Sequence, residues 1–218
     1  MQQPILAYWS IRGLVEHIRM FLTHLGVAFE DKHYPTGDAP DYDKSVWLAD
    51  KESLGLDFPN LPYFIDDQVK LTESVAIVTY IAGKYNPAYN GRTITEQASV
   101  NMCAGVLRDV WNAIINASYS PDATTRIPIA LDSHRVNLGR IANYLQGKRF
   151  LIGDQPTWVD FFAYELFDRI DVFNPEFLRG ISPNFEAHKG HVRGLAHVEE
   201  FVSRPRLALN NKMAGWGN

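Results

Sequence analysis

The chain has 218 residues, enough for one large domain or two small ones that bury a real hydrophobic core. Its 46% hydrophobic content and formal charge of −4 exclude a disordered chain and argue against nucleic-acid or polyanion partners. Its single cysteine, Cys103, excludes an internal disulfide, and no segment has the pattern of a signal peptide or a membrane span. These features predict a cytoplasmic protein without a membrane partner.

The N-terminal part of the chain alternates between strand-like and helix-like periodicity. A strand is predicted at residues 5–9, and a helix is predicted at 14–25, where apolar side chains recur on one face before Gly26 ends the pattern. A second short strand is predicted around residues 29–34, followed by a polar loop at 35–41. These patterns predict a βαβ unit.

A β-hairpin and a further helix follow after a long excursion. Residues 62–65 and 69–71 flank a turn of acidic and amide residues at 66–68, which is typical of a hairpin. A helix is predicted from Ser74 to about Tyr85, where an Asn-Pro pair ends it. The complete order is therefore βαβ followed by ββα.

The rest of the chain shows helical periodicity and no convincing strand. Helices are predicted at residues 94–116 and 128–146, and the strongest helical pattern extends over 159–170. Thr157 and Asp160, in front of that last helix, have capping-box spacing. We therefore interpret Asp160 as a helix-capping acid and not as a catalytic one.

These patterns divide the chain into two domains. Residues 1–86 are predicted to form a small α/β domain with the order βαβ-ββα, and residues 92–218 are predicted to form an all-α domain. Residues 87–91 are predicted to be the linker between them.

The segment Tyr8–Gly13 lies at the predicted junction between the first strand and the first helix. In open α/β architectures, ligands bind outside the carboxyl ends of the strands. A tyrosine hydroxyl at that place can donate a hydrogen bond to an anion. The alternative is that Tyr8 is an ordinary strand aromatic with its hydroxyl in solvent.

Five segments, in order and at matching spacings, make the chain similar to the cytosolic glutathione transferases, and most similar to their mu class. The resemblance covers essentially the whole chain and implies a thioredoxin-like N-terminal domain joined to a helical domain. It also implies a homodimer that conjugates glutathione, as co-substrate and without a cofactor, to hydrophobic electrophiles in detoxification. The matching segments are Tyr8–Leu14, Gly37–Leu48, Leu54–Tyr63, Glu73-Ser74 and Lys212–Asn218.

The chemistry of such an enzyme requires a stabilised thiolate. A free thiol ionises near about pH 8.5, and only the thiolate is a good nucleophile. Lowering that pKa by about two units requires about 2.7 kcal/mol of preferential stabilisation, most of which one charge-assisted hydrogen bond can supply. We expect Tyr8 to keep its own proton and to donate this hydrogen bond to the sulfur.

The resemblance also implies a set of residues that bind glutathione. Lys44 stands where the mu class usually has Arg, and Glu73 stands where it usually has Gln, so both ends of the tripeptide site depart from the usual pattern. Ser74 would bind the α-carboxylate of the γ-glutamyl group, although it can equally be only a helix N-cap. The implied glutathione-binding residues are Tyr8, Trp9, Leu14, Lys44, Trp47, Lys51, Asn60, Leu61, Pro62, Glu73, Ser74 and, from the partner subunit, Asp109.

The second substrate would lie beside the sulfur and against the helical domain. By resemblance, Tyr119 faces the electrophile and can donate to a developing oxyanion, while Asn211 and Met213 close the pocket. Phe58 matches an aromatic residue that the family inserts into its partner subunit, which implies a twofold homodimer. A tyrosine before a helix-ending proline can also be plain packing, and an aromatic before a proline can be a loop anchor.

Two functions remain open from the sequence. The first is the transferase, and the second is a non-catalytic carrier of hydrophobic ligands or a structural protein with the same fold. The glutathione contacts and Tyr8 are present, which favours the transferase. No metal site is predicted, because His188 and His191 lie three residues apart without an acidic or thiol partner nearby in the sequence.

Overall fold

Four short strands form a mixed sheet in a computed structural model that describes residues 3–218. The strand order is β2-β1-β3-β4, with β1 and β2 parallel and the other neighbours antiparallel. Strand β1 occupies a central position, and its three middle residues are buried. The strands are β1 (Ile5–Trp9), β2 (Glu30–Tyr34), β3 (Tyr63–Ile65) and β4 (Lys70–Thr72).

Three helices belong to the sheet domain: α1 (Glu16–His24), α2 (Ser45–Lys51) and α3 (Ser74–Tyr85). Helices α1 and α3 confirm the predicted ones, and the βαβ-ββα order is confirmed. Helix α2 was missed, because Trp47 is its only buried residue and a single buried side chain produces no helical periodicity.

Residues 94–218 form the helical domain. The prediction of an all-α C-terminal domain is confirmed, whereas the division at residues 87–91, where a short 3₁₀ turn lies, stays a prediction. No helix among residues 3–218 has the length and apolar character needed to span a bilayer. The helices are α4 (Ile94–Ser118), α5 (Ala123–Ser133), α6 (Arg135–Leu145), α7 (Trp158–Phe173), α8 (Pro175–Arg179), α9 (Asn184–Arg193) and α10 (Val198–Ser203).

The single helix predicted at residues 128–146 is wrong. The chain forms α5 and α6 there, separated at His134, whose ring Nδ1 lies 3.0 Å from the Ala130 carbonyl oxygen. Pro128 lies inside α5 and not at its start. Its side chain is exposed, so this part of the helix faces solvent. Water can therefore replace the hydrogen bond that the proline nitrogen cannot donate to the preceding turn.

Helix α7 is the buried centre of the helical domain, and it begins with the predicted capping box. The Asp160 carboxylate accepts hydrogen bonds from the backbone N–H of Thr157 and of Leu151, each at 2.8 Å. The structural interpretation of Asp160 is therefore confirmed. The same carboxylate lies 2.9 Å from His188 Nε2, an acidic partner for this histidine that is distant in sequence.

A buried ion cluster joins the loop after β1 to α7 and to the C-terminal segment, residues 204–218. Arg12 donates two hydrogen bonds to Glu165, at 3.0 and 2.7 Å, and a third to Asp168. Arg206 contacts the same two carboxylates and also Glu16. Although burial raises the pKa of Asp168, the charges of Arg12 and Arg206 outweigh it and hold that pKa below its usual value. The cluster connects the two domains through charge-assisted hydrogen bonds.

Replacing Arg12 with methionine is expected to destabilise the fold by about 3–5 kcal/mol, because it leaves the fully buried Glu165 without its bidentate partner. Urea unfolding followed by circular dichroism measures the change. The matched control is Arg179→Met, which breaks the exposed pair with Glu176 and is expected to cost at most about 0.5 kcal/mol. Equal losses in the two variants would contradict the structural role assigned to Arg12.

Candidate active site

A cavity of about 140 Å³ lies between the loop that follows β1 and one face of α4. Tyr8, Gly13 and Leu14 contribute to it from the sheet domain, and Tyr119 contributes from the end of α4. The structure therefore brings together the predicted thiol-activating tyrosine and the predicted electrophile-facing tyrosine, which are 111 positions apart in the sequence. We call this space the Tyr8 cavity.

The Tyr8 side chain is almost completely enclosed, with 8% of its surface exposed. Burial raises the pKa of its hydroxyl to about 12, although the backbone N–H of Leu14 and the charges of Arg169 and Arg19 oppose this increase. At neutral pH the phenol is therefore protonated. It is a hydrogen-bond donor at the wall of a cavity, which is the state required for stabilising an anion there.

Gly13 allows the Tyr8 ring to lie against the loop. Its φ angle is +42°, a conformation that side-chain-bearing residues rarely adopt. A Cβ atom on this residue would lie 2.4 Å from Cε1 of Tyr8, closer than any real contact. The absence of a side chain at position 13 therefore fixes where the phenol lies.

One face of α4 forms the wall of the cavity opposite the loop after β1. The residues of this face other than Tyr119 were not predicted as site residues. Arg108, Trp111, Asn112 and Ile115 line the cavity at spacings of three, one and three residues, and the same face continues to Tyr119. This periodicity was visible in the sequence. Nothing in the sequence alone, however, distinguishes a helix face that lines a cavity from one that packs in a core.

The backbone of the C-terminal segment is hydrogen-bonded to the loop that follows β1. The N–H groups of Arg12 and Gly13 donate to the carbonyls of Ala208 and Leu209, at 2.8 and 3.2 Å. Asn210, which was not predicted as a site residue, lines the cavity. This segment is therefore tied directly to the loop that carries Tyr8.

Asn211 and Met213, the two residues of this segment that were predicted to close the pocket, do not line the Tyr8 cavity. The backbone N–H of Asn211 donates to the Tyr119 hydroxyl at 3.3 Å. Met213 is 40% exposed and is not part of the cavity lining. Their proposed contact with the electrophile stays a prediction.

Helix α2 carries two cations on either side of a buried tryptophan. Trp47 is 5% exposed and packs against the rings of Tyr34 and Tyr63. Lys44 is the N-cap residue, three positions before Trp47, and Lys51 is the last residue of the helix, four positions after it. Residues at these spacings lie on the same face of a helix, so both lysines lie on the Trp47 face. Within residues 3–218 neither lysine forms an ion pair, so both are available to an anionic ligand.

Trp9 ends β1, where it is half-buried and pairs in register with Tyr34 of β2. Because Tyr34 also contacts Trp47, the two predicted tryptophan donors lie around one tyrosine. The sheet register thus brings Trp9 near α2, as a shared binding site requires.

The segment Asn60–Pro62 precedes β3, and its Leu61-Pro62 peptide bond is cis. Leu61 is buried, and its backbone N–H donates to the Asn60 side-chain oxygen at 2.9 Å. This N–H is therefore satisfied locally by the Asn60 side chain.

Glu73 and Ser74 form the start of α3. Glu73 has a φ angle of +69°, an unfavourable conformation for a residue with a side chain, and such residues concentrate at functional sites. Ser74 is buried, and its hydroxyl oxygen accepts a hydrogen bond from Arg108 Nη2 at 3.3 Å. Burial lowers the pKa of Arg108, while the charge of Glu73 opposes that effect. Arg108 therefore connects the start of α3 to the Tyr8 cavity.

Asp109 and Phe58 lie away from the Tyr8 cavity. Asp109 is exposed and lines a second cavity, of about 220 Å³, between α4 and α6. Phe58 is 80% exposed, an unusual state for an aromatic side chain. We call the second space the α4–α6 cavity.

The structure thus has two domains, a four-stranded sheet domain and a helical domain, with the buried Tyr8 lining a cavity between them. Comparison with known proteins agrees. The family model for the glutathione S-transferase N-terminal domain matches residues 4–83, and the model for the C-terminal domain matches residues 103–196.

Curated relatives match over almost the whole chain. Glutathione S-transferase Mu 1 of Macaca fascicularis and Mu 4 of Homo sapiens are each 38% identical, with 98% of both chains covered. The crystal structure of the glutathione S-transferase Blo t 8 superposes with a TM-score of 0.87 at 30% identity, covering 98% of this chain and 100% of that one. The chain therefore belongs to the glutathione S-transferase family, as an enzyme of the Mu class.

Replacing Gly13 with alanine is expected to lower kcat/KM with glutathione and 1-chloro-2,4-dinitrobenzene by roughly tenfold to a hundredfold. The new Cβ must push away the ring of Tyr8, the predicted catalytic residue, and a displacement of about 1 Å at such a residue is expected to have an effect of that order. Gly139→Ala is the control, because a Cβ at Gly139 in α6 would have no neighbour within 4 Å. Comparable loss in both variants would contradict the role assigned to Gly13.

Proposed function

We propose that this enzyme activates the thiol of glutathione as a thiolate and conjugates it to hydrophobic electrophiles, as a detoxification reaction in the cytoplasm. Glutathione is the co-substrate, and no cofactor takes part. The observation that carries the proposal is Tyr8, a buried, protonated phenol at the end of β1 that lines a cavity between the two domains. Such a donor stabilises a thiolate more than a thiol and so favours the reactive form.

The two ends of glutathione would be held by charges on either side of Tyr8. Lys44, Lys51 and the indole N–H groups of Trp9 and Trp47 would bind the glycine carboxylate. Lysine in place of arginine at position 44 supplies a point charge and not a planar fork, so that carboxylate is held with less directional specificity.

The γ-glutamyl end would lie at the start of α3. Ser74 and the N-terminus of the helix would bind its α-carboxylate, and Glu73 would pair with its ammonium group. Asn60, Leu61 and Pro62 would contact the cysteinyl group between the two ends, with Leu14 beside the sulfur.

The electrophile would occupy the Tyr8 cavity against α4. Trp111 and Ile115 supply an apolar wall, and Tyr119 supplies a hydroxyl whose pKa burial raises, so it too is a donor at neutral pH. A donor beside the reacting carbon would stabilise an oxyanion that forms on an epoxide or an enone. Asn211 and Met213 would close the cavity from the C-terminal segment.

The enzyme would act as a homodimer. Phe58 of one subunit would enter the α4–α6 cavity of the other. The exposed aromatic side chain and the apolar cavity are complementary surfaces, and a twofold axis would pair them twice. Asp109 lines that same cavity, so dimerisation would bring its carboxylate to the interface, where it can approach the glutathione of the partner subunit.

Replacing Tyr8 with phenylalanine is expected to lower kcat/KM for 1-chloro-2,4-dinitrobenzene by roughly tenfold to a thousandfold, since one donor to the thiolate is worth about 1.5–4 kcal/mol. Stopped-flow or steady-state conjugation assays measure the change. The melting temperature and the affinity for S-methylglutathione, which has no ionisable thiol, serve as controls and are expected to change little.

An unaltered rate in Tyr8→Phe would contradict the role assigned to Tyr8. Absence of turnover in the wild-type protein, with S-methylglutathione still bound, would favour the carrier function over the transferase. The two results are distinguishable because the binding assay does not depend on turnover.

Replacing Phe58 with serine is expected to convert the dimer to a monomer in sedimentation velocity at micromolar concentration, because the substitution removes the apolar group that fills the partner cavity. Val172→Ser is the matched control, since Val172 is also a large exposed hydrophobic residue, 56% exposed, and is outside the proposed interface. A monomeric wild-type protein would contradict the proposed assembly.

A further inference from the structure

Arg169 of α7 is a fully buried guanidinium without a carboxylate partner. Its exposed fraction is 0%, and within residues 3–218 it forms no ion pair. Nη1 donates to the Asn210 side-chain oxygen at 2.9 Å and Nη2 donates to the Leu209 carbonyl at 3.2 Å, while Nε is buried with no hydrogen-bond partner. A buried charge in this state is costly, because neutral dipoles replace its hydration only in part.

The guanidinium lies directly behind the wall of the Tyr8 cavity. Its central carbon is 4.4 Å from the centre of the Trp111 ring, and both Trp111 and its hydrogen-bond partner Asn210 line that cavity. The residue after Asn210 donates its backbone N–H to Tyr119. Arg169 is therefore one layer away from the position where the sulfur would lie.

Four titratable or charged groups face Arg169 from the elements packed around it. These are Glu165 on its own helix, Arg12 in the loop after β1, Tyr119 at the end of α4 and Tyr8 on β1. Burial lowers the pKa of Arg169 to about 10, so it keeps its charge at neutral pH. Glu165 is already bonded to Arg12 and Arg206, and the two tyrosines are protonated, so no neighbour neutralises Arg169 directly.

Resting on the proposed function, we propose that Arg169 is a positioning residue of the thiolate site, whose unpaired charge behind Trp111 and Asn210 stabilises the sulfur anion beside Tyr8. The charge acts through the cavity wall, where little water is present to screen it. The hydrogen bonds to Asn210 and Leu209 hold the C-terminal segment in the same place. The positive charge is thus present before the ligand binds and requires no rearrangement when the thiolate forms.

The test is the pKa of the bound glutathione thiol, measured from the ultraviolet absorbance of the thiolate in enzyme saturated with glutathione. Arg169→Met removes the charge but keeps a long apolar side chain, and it is expected to raise that thiol pKa by about one unit. The profile of kcat/KM against pH should move upward by the same amount. At a pH well above both thiol pKa values the two enzymes should converge, because a fully ionised thiol no longer depends on the charge.

Three comparisons make the result decisive. Arg169→Lys restores a cation without the guanidinium geometry and is expected to return the thiol pKa close to the wild-type value. Arg149→Met removes one exposed arginine outside the cavity and controls for the change in net charge, with no expected shift. Circular dichroism and the melting temperature show whether each variant is folded.

An unchanged thiol pKa in folded Arg169→Met, or equal shifts in the methionine and lysine variants, would overturn the proposal. Equal shifts would mean that the hydrogen bonds and packing matter and the charge does not. These outcomes are separate from failure of the proposed function, because the absorbance measurement needs only bound glutathione. Wild-type enzyme that binds glutathione with an unperturbed thiol would instead contradict the thiolate activation assigned to Tyr8.

Discussion

The position of the active site depends on the bidentate contact between Arg12 and Glu165. Arg12 belongs to the loop between β1 and α1, and Glu165 belongs to the most deeply buried helix of the second domain. Because a guanidinium and a carboxylate form two parallel hydrogen bonds only in one relative orientation, this pair fixes the loop against α7. Arg206 bonds to the same carboxylate and therefore fixes the C-terminal segment to the same point. Three parts of the chain that are remote in sequence are held together by one buried acid.

This arrangement determines where Tyr8 lies. The loop that Arg12 holds also contains Gly13, against which the Tyr8 ring packs, and its backbone N–H groups bond to the C-terminal segment. The phenol is therefore positioned by the loop, and residues 208 and 209 hold that loop in place. A catalytic group is effective only when its neighbours remove its freedom before the substrate arrives. The buried ion cluster would supply that restraint to Tyr8 in the proposed function, although it lies outside the Tyr8 cavity.

The sequence predicted the features that depend on local pattern. The capping box at Thr157 and Asp160, the hairpin turn at 66–68 and the glycine after α1 each follow from a few adjacent residues, and all are present. Features that depend on a partner distant in the sequence could not be predicted in this way. Helix α2 has a single buried residue, and the α4 face that includes Arg108 resembles an ordinary packed face. The signal for the ion cluster was available, because the charged residues Glu165 and Asp168 interrupt the apolar pattern of α7.

Two arginines at or directly behind the Tyr8 cavity, Arg169 and Arg108, have no ion-pair partner among residues 3–218. An apolar residue at position 169 would pack against Trp111 without the penalty of burying a cation, so stability alone does not account for an arginine there. Arg108, which lines the cavity and is half-buried, also forms no ion pair among residues 3–218, and burial lowers its pKa. The two tyrosines at the cavity carry protons and cannot supply the missing negative charge. Arg108 and the two tyrosines thus line one small cavity, and the buried Arg169 lies one layer behind it. In the proposed function, this arrangement favours an anion such as the thiolate of glutathione.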